Sequence, residues 1–385
     1  MKLDSSGRLF VFNLKNRVIV TKQLYAIGIS IFITAVGGAV AAARASVPEP
    51  VGLAQSAPPN LNLGVAVAND YLTNPKNHAI VERNFNQITT ENRMKMTFLH
   101  PAENTFTFAT ADAYVAYAKA HHMTVHAHTL IWHKDYQVPE FMKSYPGGKA
   151  DFLAMLKNHV TTLVSHFKGR VQSWDVVNEA IEDNGSYRDT VFYRKAGPDF
   201  IDQAFINARA ADPTVDLYYN DYDTEQAGVK FEFMKTMIDG LLARKVPITG
   251  VGFQMHVRLD FPTREAFKTV FKSMVDRGLK VKISELDVPV NNQHGVVAAS
   301  ATLTAALAKR QRQRYCEIVK VYLDTVPENL RGGITVWGVR DSESWIPETP
   351  EWKGKSDWPL LFDANGHEKP AYQGVHDALE SRPCN

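Results

Sequence analysis

The sequence predicts a single closed (β/α)₈ barrel, in which eight parallel strands are surrounded by helices, over residues 61–382. Eight short strand-like runs alternate with helical segments over about 320 residues, which is typical of this fold. The alternative fold is an open doubly wound sheet, which usually has a Gly-rich phosphate-binding loop after its first strand. No such loop follows the first run here. The predicted strands occupy residues 61–68, 87–91, 124–132, 171–179, 216–221, 251–257, 280–288 and 332–339.

The segments between these runs have the periodicity of amphipathic helices. Residues 151–167 and 310–326 both place apolar residues at positions i, i+3 and i+4. The 385 residues are 45% hydrophobic and 22% charged, which is typical of a globular chain with a large core. Beyond residue 45, acidic residues slightly outnumber basic ones. This charge balance gives no support to a nucleic-acid partner.

Residues 1–45 are predicted to be a signal peptide or a membrane anchor, and residues 46–60 a Pro-rich linker or tail without a helix or strand. Basic residues precede the apolar run 24–43, and Ala43-Arg44-Ala45 supplies the small residues that a signal peptidase requires. The run also has about the 20 residues that span a bilayer. We therefore expect an exported protein, secreted or periplasmic, with an uncleaved membrane anchor as the alternative.

The cysteines and histidines predict neither a metal centre nor a cofactor. Cys316 lies in a helical pattern and Cys384 is one residue from the end of the sequence. Export would permit a disulfide between them, but two independent free thiols are expected. His128 and His133 are five positions apart, and no third metal ligand accompanies them.

Polar side chains stand at the C-terminal ends of six predicted strands. In a barrel these ends converge on one face, where the active site lies. The polar residues are Glu91 and Asn92, His128 and His133, Asn178 and Glu179, Asn220 and Asp221, Gln254 and His256, and Glu285 and Asp287. Their recurrence at six strands predicts a functional site rather than six solvated turns.

Glu179 and Glu285 predict the chemistry of that site. In glycosidases one carboxyl group protonates the leaving oxygen, and a second attacks the sugar carbon or activates water. Asp287 and His256 are placed to hydrogen-bond around Glu285 and keep it ionised. The apolar residues before Glu179 are expected to raise the pKa of its carboxyl group, as suits a general acid. Asn178 is expected to bind a sugar hydroxyl. For Glu179 or Glu285 taken alone, the alternative is a structural role, as a strand cap or in a surface ion pair.

Four aromatic residues lie at or just after strand ends, where their rings could stack on sugar rings. They are Trp132, Tyr222, Trp337 and Trp345. Packing in the core is the alternative for each of them.

The motifs resemble those of endo-β-1,4-xylanases of glycoside hydrolase family 10. The resemblance extends from about Leu63 to Leu379, and its most specific parts are the segments WDVVNEA and SELD. The other matching segments, in family order, are TTENRMK, HTLIWH, YYNDYD, GVGFQMHV, TVWGVRDSESW and PLLFDANGHEKPAY. The resemblance implies a (β/α)₈ barrel that hydrolyses xylan with retention, through a covalent glycosyl-enzyme.

The resemblance also implies a role for each matching residue. Glu179 matches the acid/base and Glu285 the nucleophile, which His256 and Asp287 orient and tune. The residues that match the cluster binding sugars on the non-reducing side are Glu91, Asn92 and Lys95. The residues that match those around the sugar being cleaved are His128, Trp132, Asn178, Gln254 and Trp337. Tyr222 resembles a platform on the leaving-group side, and Trp345 resembles a lid over the bound sugars.

The partners implied are xylan and xylo-oligosaccharides, with no obligate protein partner and a monomeric state. Met96 stands where the family often has Trp, and the segment WHKDYQVP carries two extra residues before Gln137. These departures leave the number of sugar subsites open. The same mechanism on another β-1,4-glycan is one alternative, and a non-catalytic glycan-binding barrel is another, although such barrels typically lack one of the two carboxylates.

Overall fold

The computed structural model of the protein describes residues 51–293, 296–297, 300–350 and 352–385. The predicted leader, residues 1–45, and the first five residues of the predicted linker lie outside these ranges. Within the described ranges, no helix combines the length and the apolar character needed to cross a membrane.

Eight parallel strands form a closed barrel, as predicted. They are β1 (Leu63–Val67), β2 (Gln87–Thr90), β3 (Thr124–Ala127), β4 (Ser173–Asn178), β5 (Asp216–Asp221), β6 (Gly250–Phe253), β7 (Lys280–Leu286) and β8 (Arg331–Val336). Each strand pairs with its neighbours in the sequence. The pairing of β8 with β1, in which Leu63 lies opposite Ile334, closes the barrel. The strands are buried almost throughout, because helices cover their outer faces and side chains fill the interior.

The third predicted strand is divided into two parts. After β3, the peptide bond between His128 and Thr129 is cis. A two-residue strand, Ile131–Trp132, then pairs with β4 and brings Trp132 opposite Asn178. The two-residue strands Asn292–Gln293 and Val296–Val297 pair in an antiparallel arrangement.

The α-helices are α1 (Leu53–Ser56), α2 (His78–Asn84), α3 (Met96–Leu99), α4 (Ala109–Ala120), α5 (Glu140–Lys143), α6 (Lys149–His166), α7 (Val191–Ala196), α8 (Asp199–Ala211), α9 (Val229–Ala243), α10 (Arg264–Val275), α11 (Ala305–Thr325) and α12 (Pro370–Leu379). Helices α6 and α11 confirm the two predicted helical segments. The hydroxyl groups of Thr190, Thr263 and Thr304 cap the N-termini of α7, α10 and α11 by accepting backbone N–H groups.

The prediction that residues 46–60 contain no helix was wrong, because α1 lies among them. Leu53 is completely buried, and its backbone N–H donates a hydrogen bond to Asn84 Oδ1 at 3.3 Å. Burial of one leucine against α2 and α12 thus orders a segment whose composition is typical of a linker.

The prediction of two free thiols was also wrong, since Cys316 and Cys384 form a disulfide. Cys316 lies on α11, which packs against α12, and the residues after α12 bring Cys384 to a Cα–Cα distance of 5.5 Å. The two cysteines are 68 positions apart in the sequence, so the proximity depends on helix packing that the sequence pattern does not show.

Candidate active site

Glu179 and Glu285 lie at the C-terminal end of the barrel, at the ends of β4 and β7 respectively. Glu179 directly follows β4 and is 6% exposed, whereas Glu285 is the penultimate residue of β7 and is 5% exposed. The backbone N–H of Glu179 donates to the carbonyl of Asn220 at 2.9 Å, and that of Glu285 donates to Gln254 at 3.0 Å. Glu179 has a φ of +56°, a conformation that is uncommon outside glycine and that recurs at functional sites.

Asn220, the penultimate residue of β5, connects the two carboxyl groups. Its side-chain amide donates to Glu285 Oε1 and to Asn178 Oδ1, both at 2.9 Å. The amide of Asn178 in turn donates to Glu179 Oε1 at 3.2 Å. The hydroxyl of Ser284 donates to Asn220 Oδ1 at 2.6 Å, which orients the Asn220 amide. Both carboxyl groups therefore belong to one hydrogen-bonded network, and the sequence pattern had given Asn220 no role within it.

Gly252 on β6 provides the space that Asn220 occupies. The two residues are opposite each other in the β5–β6 pairing. A Cβ atom on Gly252 would lie 2.3 Å from Asn220 Oδ1. Any other residue at position 252 would therefore displace the amide that contacts Glu285.

His256 and Asp287 surround the far side of Glu285. His256 Nδ1 lies 2.8 Å from Asp287 Oδ2, and His256 Nε2 lies 3.3 Å from Glu285 Oε2. Burial alone would lower the pKa of His256, but Asp287 and Glu285 together raise it well above its ordinary value. The raised pKa favours the protonated imidazole, which places a positive charge beside the Glu285 carboxyl group. The indole N–H of Trp345, which is 41% exposed, donates to Asp287 Oδ2 at 2.9 Å.

The surroundings of Glu179 contradict the pKa expected from the sequence. Burial raises the pKa of its carboxyl group, but the hydrogen bond from Gln254 Nε2, at 3.0 Å, and the charge of His133 bring it below the ordinary value. Burial lowers the pKa of His133 itself to about 4, and the hydrogen bond from Gln254 is the largest of the effects that lower the pKa of Glu179. The expectation failed because Gln254 is 75 positions away in the sequence, and only the fold brings it to Glu179.

A polar cluster lies beside these carboxyl groups. Lys95 Nζ donates to Asn92 Oδ1 at 3.2 Å and lies 4.4 Å from the ring centre of Trp132. Burial raises the pKa of Glu91 to about 7, although Lys95 opposes this effect. Burial also lowers the pKa of Lys95 to about 8, although the charges of the nearby glutamates oppose it. Donors and acceptors around an indole ring form a surface that suits a sugar with several hydroxyl groups.

His128 is held in place by the buried Asp175, a residue that the sequence pattern had not singled out. Asp175 Oδ2 lies 2.8 Å from His128 Nδ1 and 3.0 Å from His126 Nε2. Although burial would raise the pKa of Asp175, the two histidines bring it well below its ordinary value. The ring of His128 meets that of Trp337 edge-on at 5.5 Å. Asp175 was missed because it lies inside the strand, between Trp174 and Val176, and not at the strand end where the other polar site residues stand.

Tyr222 is connected to Glu179 through Arg188 and is held by two cations. Arg188 Nη2 donates to the Tyr222 hydroxyl at 3.0 Å, and Lys230 Nζ lies 3.3 Å from the centre of its ring. Arg188 Nε also donates to the backbone carbonyl of Glu179 at 3.0 Å. A cavity of about 480 Å³ opens between His133 and Arg188. Arg188 was missed because it lies in a loop without any recognisable motif.

Comparison with known proteins places this site in a family. Residues 52–378 match the model of glycosyl hydrolase family 10. The chain is 47% identical over 348 residues to an endo-β-1,4-xylanase, xylanase 10C, from Cellvibrio japonicus, a match that covers 85% of this chain and 57% of that protein. It is 42% identical over 345 residues to endo-1,4-β-xylanase A from the same species, which covers 83% of this chain and 55% of that protein. The chain thus spans little more than half the length of these relatives.

A solved structure resembles the protein in the same way. The structure of a mutant xylanase 10C from Cellvibrio japonicus, in complex with xylopentaose, superposes with a TM-score of 0.84 at 46% sequence identity. The superposition covers 88% of this chain and 70% of that one. Because the family model and these relatives match most of the sequence, and the barrel carries paired glutamates at its C-terminal end, the chain belongs to glycosyl hydrolase family 10.

Proposed function

We propose that the protein hydrolyses β-1,4-xylosidic bonds within xylan, with retention of anomeric configuration. The observation that carries this proposal is the network that links Glu285 through Asn220 and Asn178 to Glu179. The network supports the proposal because it joins the two carboxyl groups at one end of the barrel, where each carboxyl group also has a partner of its own. His256 contacts Glu285, while Gln254 contacts Glu179.

In the proposed first step, a carboxylate oxygen of Glu285 attacks the anomeric carbon and forms a glycosyl ester. Glu179 gives its proton to the leaving glycosidic oxygen as the bond to the leaving sugar breaks. In the second step, Glu179 takes a proton from water, and the resulting hydroxide attacks the anomeric carbon. Glu285 leaves as a carboxylate, and the sugar retains its configuration.

The low pKa of Glu179 adds a requirement to this proposal, because the first step needs its protonated form. A sugar chain that covers Glu179 would exclude water from the carboxyl group and raise its pKa. We therefore propose that Glu179 takes up its proton as the substrate binds. His256, whose pKa is raised, would hold the Glu285 carboxyl group in position during the same step.

Xylan is the proposed substrate because of the similarity to xylanases, one of them solved with xylopentaose. The aromatic residues at the rim of the site would stack on the sugar rings, and the cluster of Glu91, Asn92 and Lys95 would bind their hydroxyl groups. Another β-1,4-glycan would require room for an additional hydroxymethyl group on each ring.

The test compares the wild type with Glu285→Ala and Glu179→Ala on xylan and on cellulose. Released reducing ends measure hydrolysis, and proton NMR of the first products measures their anomeric configuration. We expect β-configured products from xylan, little product from cellulose, and essentially none from Glu285→Ala. Equal release of reducing ends by all three proteins would contradict the proposal, and α-configured first products would exclude a glycosyl-enzyme.

We also propose that the protein is exported and acts as a monomer. The disulfide between Cys316 and Cys384 supports export, since disulfides persist in oxidising compartments. Fractionation of the source cells and light scattering of the purified protein would test these two proposals.

A further inference from the structure

Glu225, in the loop after β5, is a buried carboxyl group that the proposed reaction does not use. It is 3% exposed, and its Oε1 accepts a hydrogen bond from the backbone N–H of Met255 at 2.8 Å. Burial raises the pKa of Glu225 to about 7, although the hydrogen bond from Met255 opposes this effect. A carboxyl group in such surroundings costs free energy of folding, which a structural or functional contact must offset.

The hydrogen bond between the Met255 N–H and Glu225 continues the hydrogen bonding of the barrel beyond the last residue of β5. The N–H of Gln254 donates to the carbonyl of Asp221, the final residue of β5, at 3.0 Å. The chain after β5 then turns, with a φ of +52° at Asp223. Met255 has a φ of +61°, and its N–H donates to the side chain of Glu225 instead of a strand carbonyl. Without this acceptor, a buried N–H group would lose its partner.

Met255 stands between the two residues that hold the paired glutamates. Gln254 donates to the carboxyl group of Glu179, and His256 contacts that of Glu285. We infer that Glu225 is a positioning residue for the reaction, because it fixes the peptide of Met255 and thereby sets the positions of both neighbouring side chains. This inference rests on the proposed function, in which both glutamates act on the substrate.

The experiment compares Glu225→Asp and Glu225→Gln with the wild type. The aspartate keeps the charge but withdraws the acceptor by one methylene, whereas the glutamine keeps a carbonyl oxygen in place and removes the charge. Thr224→Val is the matched control, since Thr224 is equally buried and its hydroxyl has no hydrogen-bond partner. For each protein we would measure the thermal unfolding midpoint, kcat and KM on xylohexaose, and amide hydrogen exchange in the peptide that contains Met255.

We expect the aspartate variant to lose about 100-fold in kcat, since a displacement of about 1 Å at a catalytic site has an effect of this size. Its KM should change much less than kcat, because the cluster of Glu91, Asn92 and Lys95 and the aromatic rings, which bind the other sugars, stay in place. Exchange around Met255 should be faster in this variant. The glutamine and valine variants should resemble the wild type in all of these measurements.

A folded aspartate variant with wild-type kcat, or with wild-type exchange around Met255, would overturn the inference. It would also be overturned if the glutamine variant lost as much kcat as the aspartate variant, since the acceptor would then not be the cause. A wild type that releases no reducing ends from xylan would instead overturn the proposed function. In that case the exchange rates alone would decide whether Glu225 fixes this peptide.

Discussion

The side-chain amide of Asn220 donates a hydrogen bond of 2.9 Å to Glu285 Oε1, and the same amide donates to Asn178 Oδ1. This single nitrogen joins the carboxyl group on β7 to the residue that precedes Glu179 on β4. The hydroxyl of Ser284, which is adjacent to Glu285 in the sequence, holds the other end of the Asn220 amide. The positions of both glutamates thus depend on an amide that does not itself react.

Replacement of Asn220 should reduce catalysis without removing substrate binding. We expect Asn220→Ala to lower kcat on xylan by about 100-fold, since Glu285 loses a fixed donor and Asn178 loses its partner. Asn220→Asp should place a second carboxyl group beside Glu285, and repulsion between the two negative charges should move the acidic limb of the kcat/KM profile to higher pH. Steady-state kinetics from pH 4 to 9 would measure both effects. An unchanged acidic limb in Asn220→Asp would contradict this account of the amide.

Replacement of Glu179 should have an effect that depends on the leaving group. We expect Glu179→Ala to lower activity on xylan by about 100-fold to 10,000-fold, the range for loss of a general acid. Aryl xylobiosides with acidic phenols need little proton donation, so their cleavage should be much less affected. The measurement is kcat/KM across a series of substituted phenols. Similar losses for acidic and weakly acidic phenols would exclude Glu179 as the proton donor.

Gln254 should control the pH at which Glu179 loses its proton. Because the Gln254 hydrogen bond opposes the effect of burial on the pKa of Glu179, Gln254→Met should raise that pKa. A general acid acts in its protonated form, so activity falls as pH rises through this pKa. The basic limb of the kcat/KM profile should therefore move to higher pH in the variant. If that limb stays in place or moves to lower pH, Gln254 does not have this role.

His256 should make the stability of the protein depend on pH. Its pKa in the folded protein lies well above the ordinary value of about 6.5. Its contribution to stability is therefore complete below about pH 6.5 and is lost as pH rises through the raised pKa. The difference in free energy of unfolding between the wild type and His256→Asn should be largest near pH 6 and should shrink at higher pH. Urea unfolding curves would measure this difference, and an increase with pH would contradict the assignment.

The disulfide should stabilise the fold without affecting the chemistry. We expect Cys384→Ser to lower the free energy of unfolding by about 2–4 kcal/mol, the usual range for a bridge that closes a long loop. The kcat on xylan at 25 °C should not change, because neither cysteine contacts the candidate site. Wild-type protein treated with a reductant serves as the control and should show the same loss. A variant as stable as the oxidised wild type would show that the two thiols are free.

The features that repeat along the chain were predictable, and those that depend on single distant contacts were not. The eight strands were predictable because short strand-like runs alternate with helical segments along the chain, and Glu179 and Glu285 because they stand at the ends of two of these runs. The disulfide was missed because it depends on the packing of α11 and α12. The prediction of a raised pKa for Glu179 was wrong because it rested on the apolar residues that precede Glu179 in the sequence. In the structure Gln254, which is distant in the sequence, lowers this pKa. Asn220 was visible as a polar residue at a strand end, but its role depends on its position opposite Asn178 in the β4–β5 pairing.

Gly252 has no reactive side chain, but its position accepts no larger residue without displacing Asn220. It bears no functional group, yet even a methyl group at this position would meet the oxygen of Asn220. A comprehensive substitution library selected for growth on xylan should therefore tolerate no replacement here, as at the two glutamates. Evolution toward new substrates would have to proceed through the loops above the barrel, while this position on β6 stays fixed.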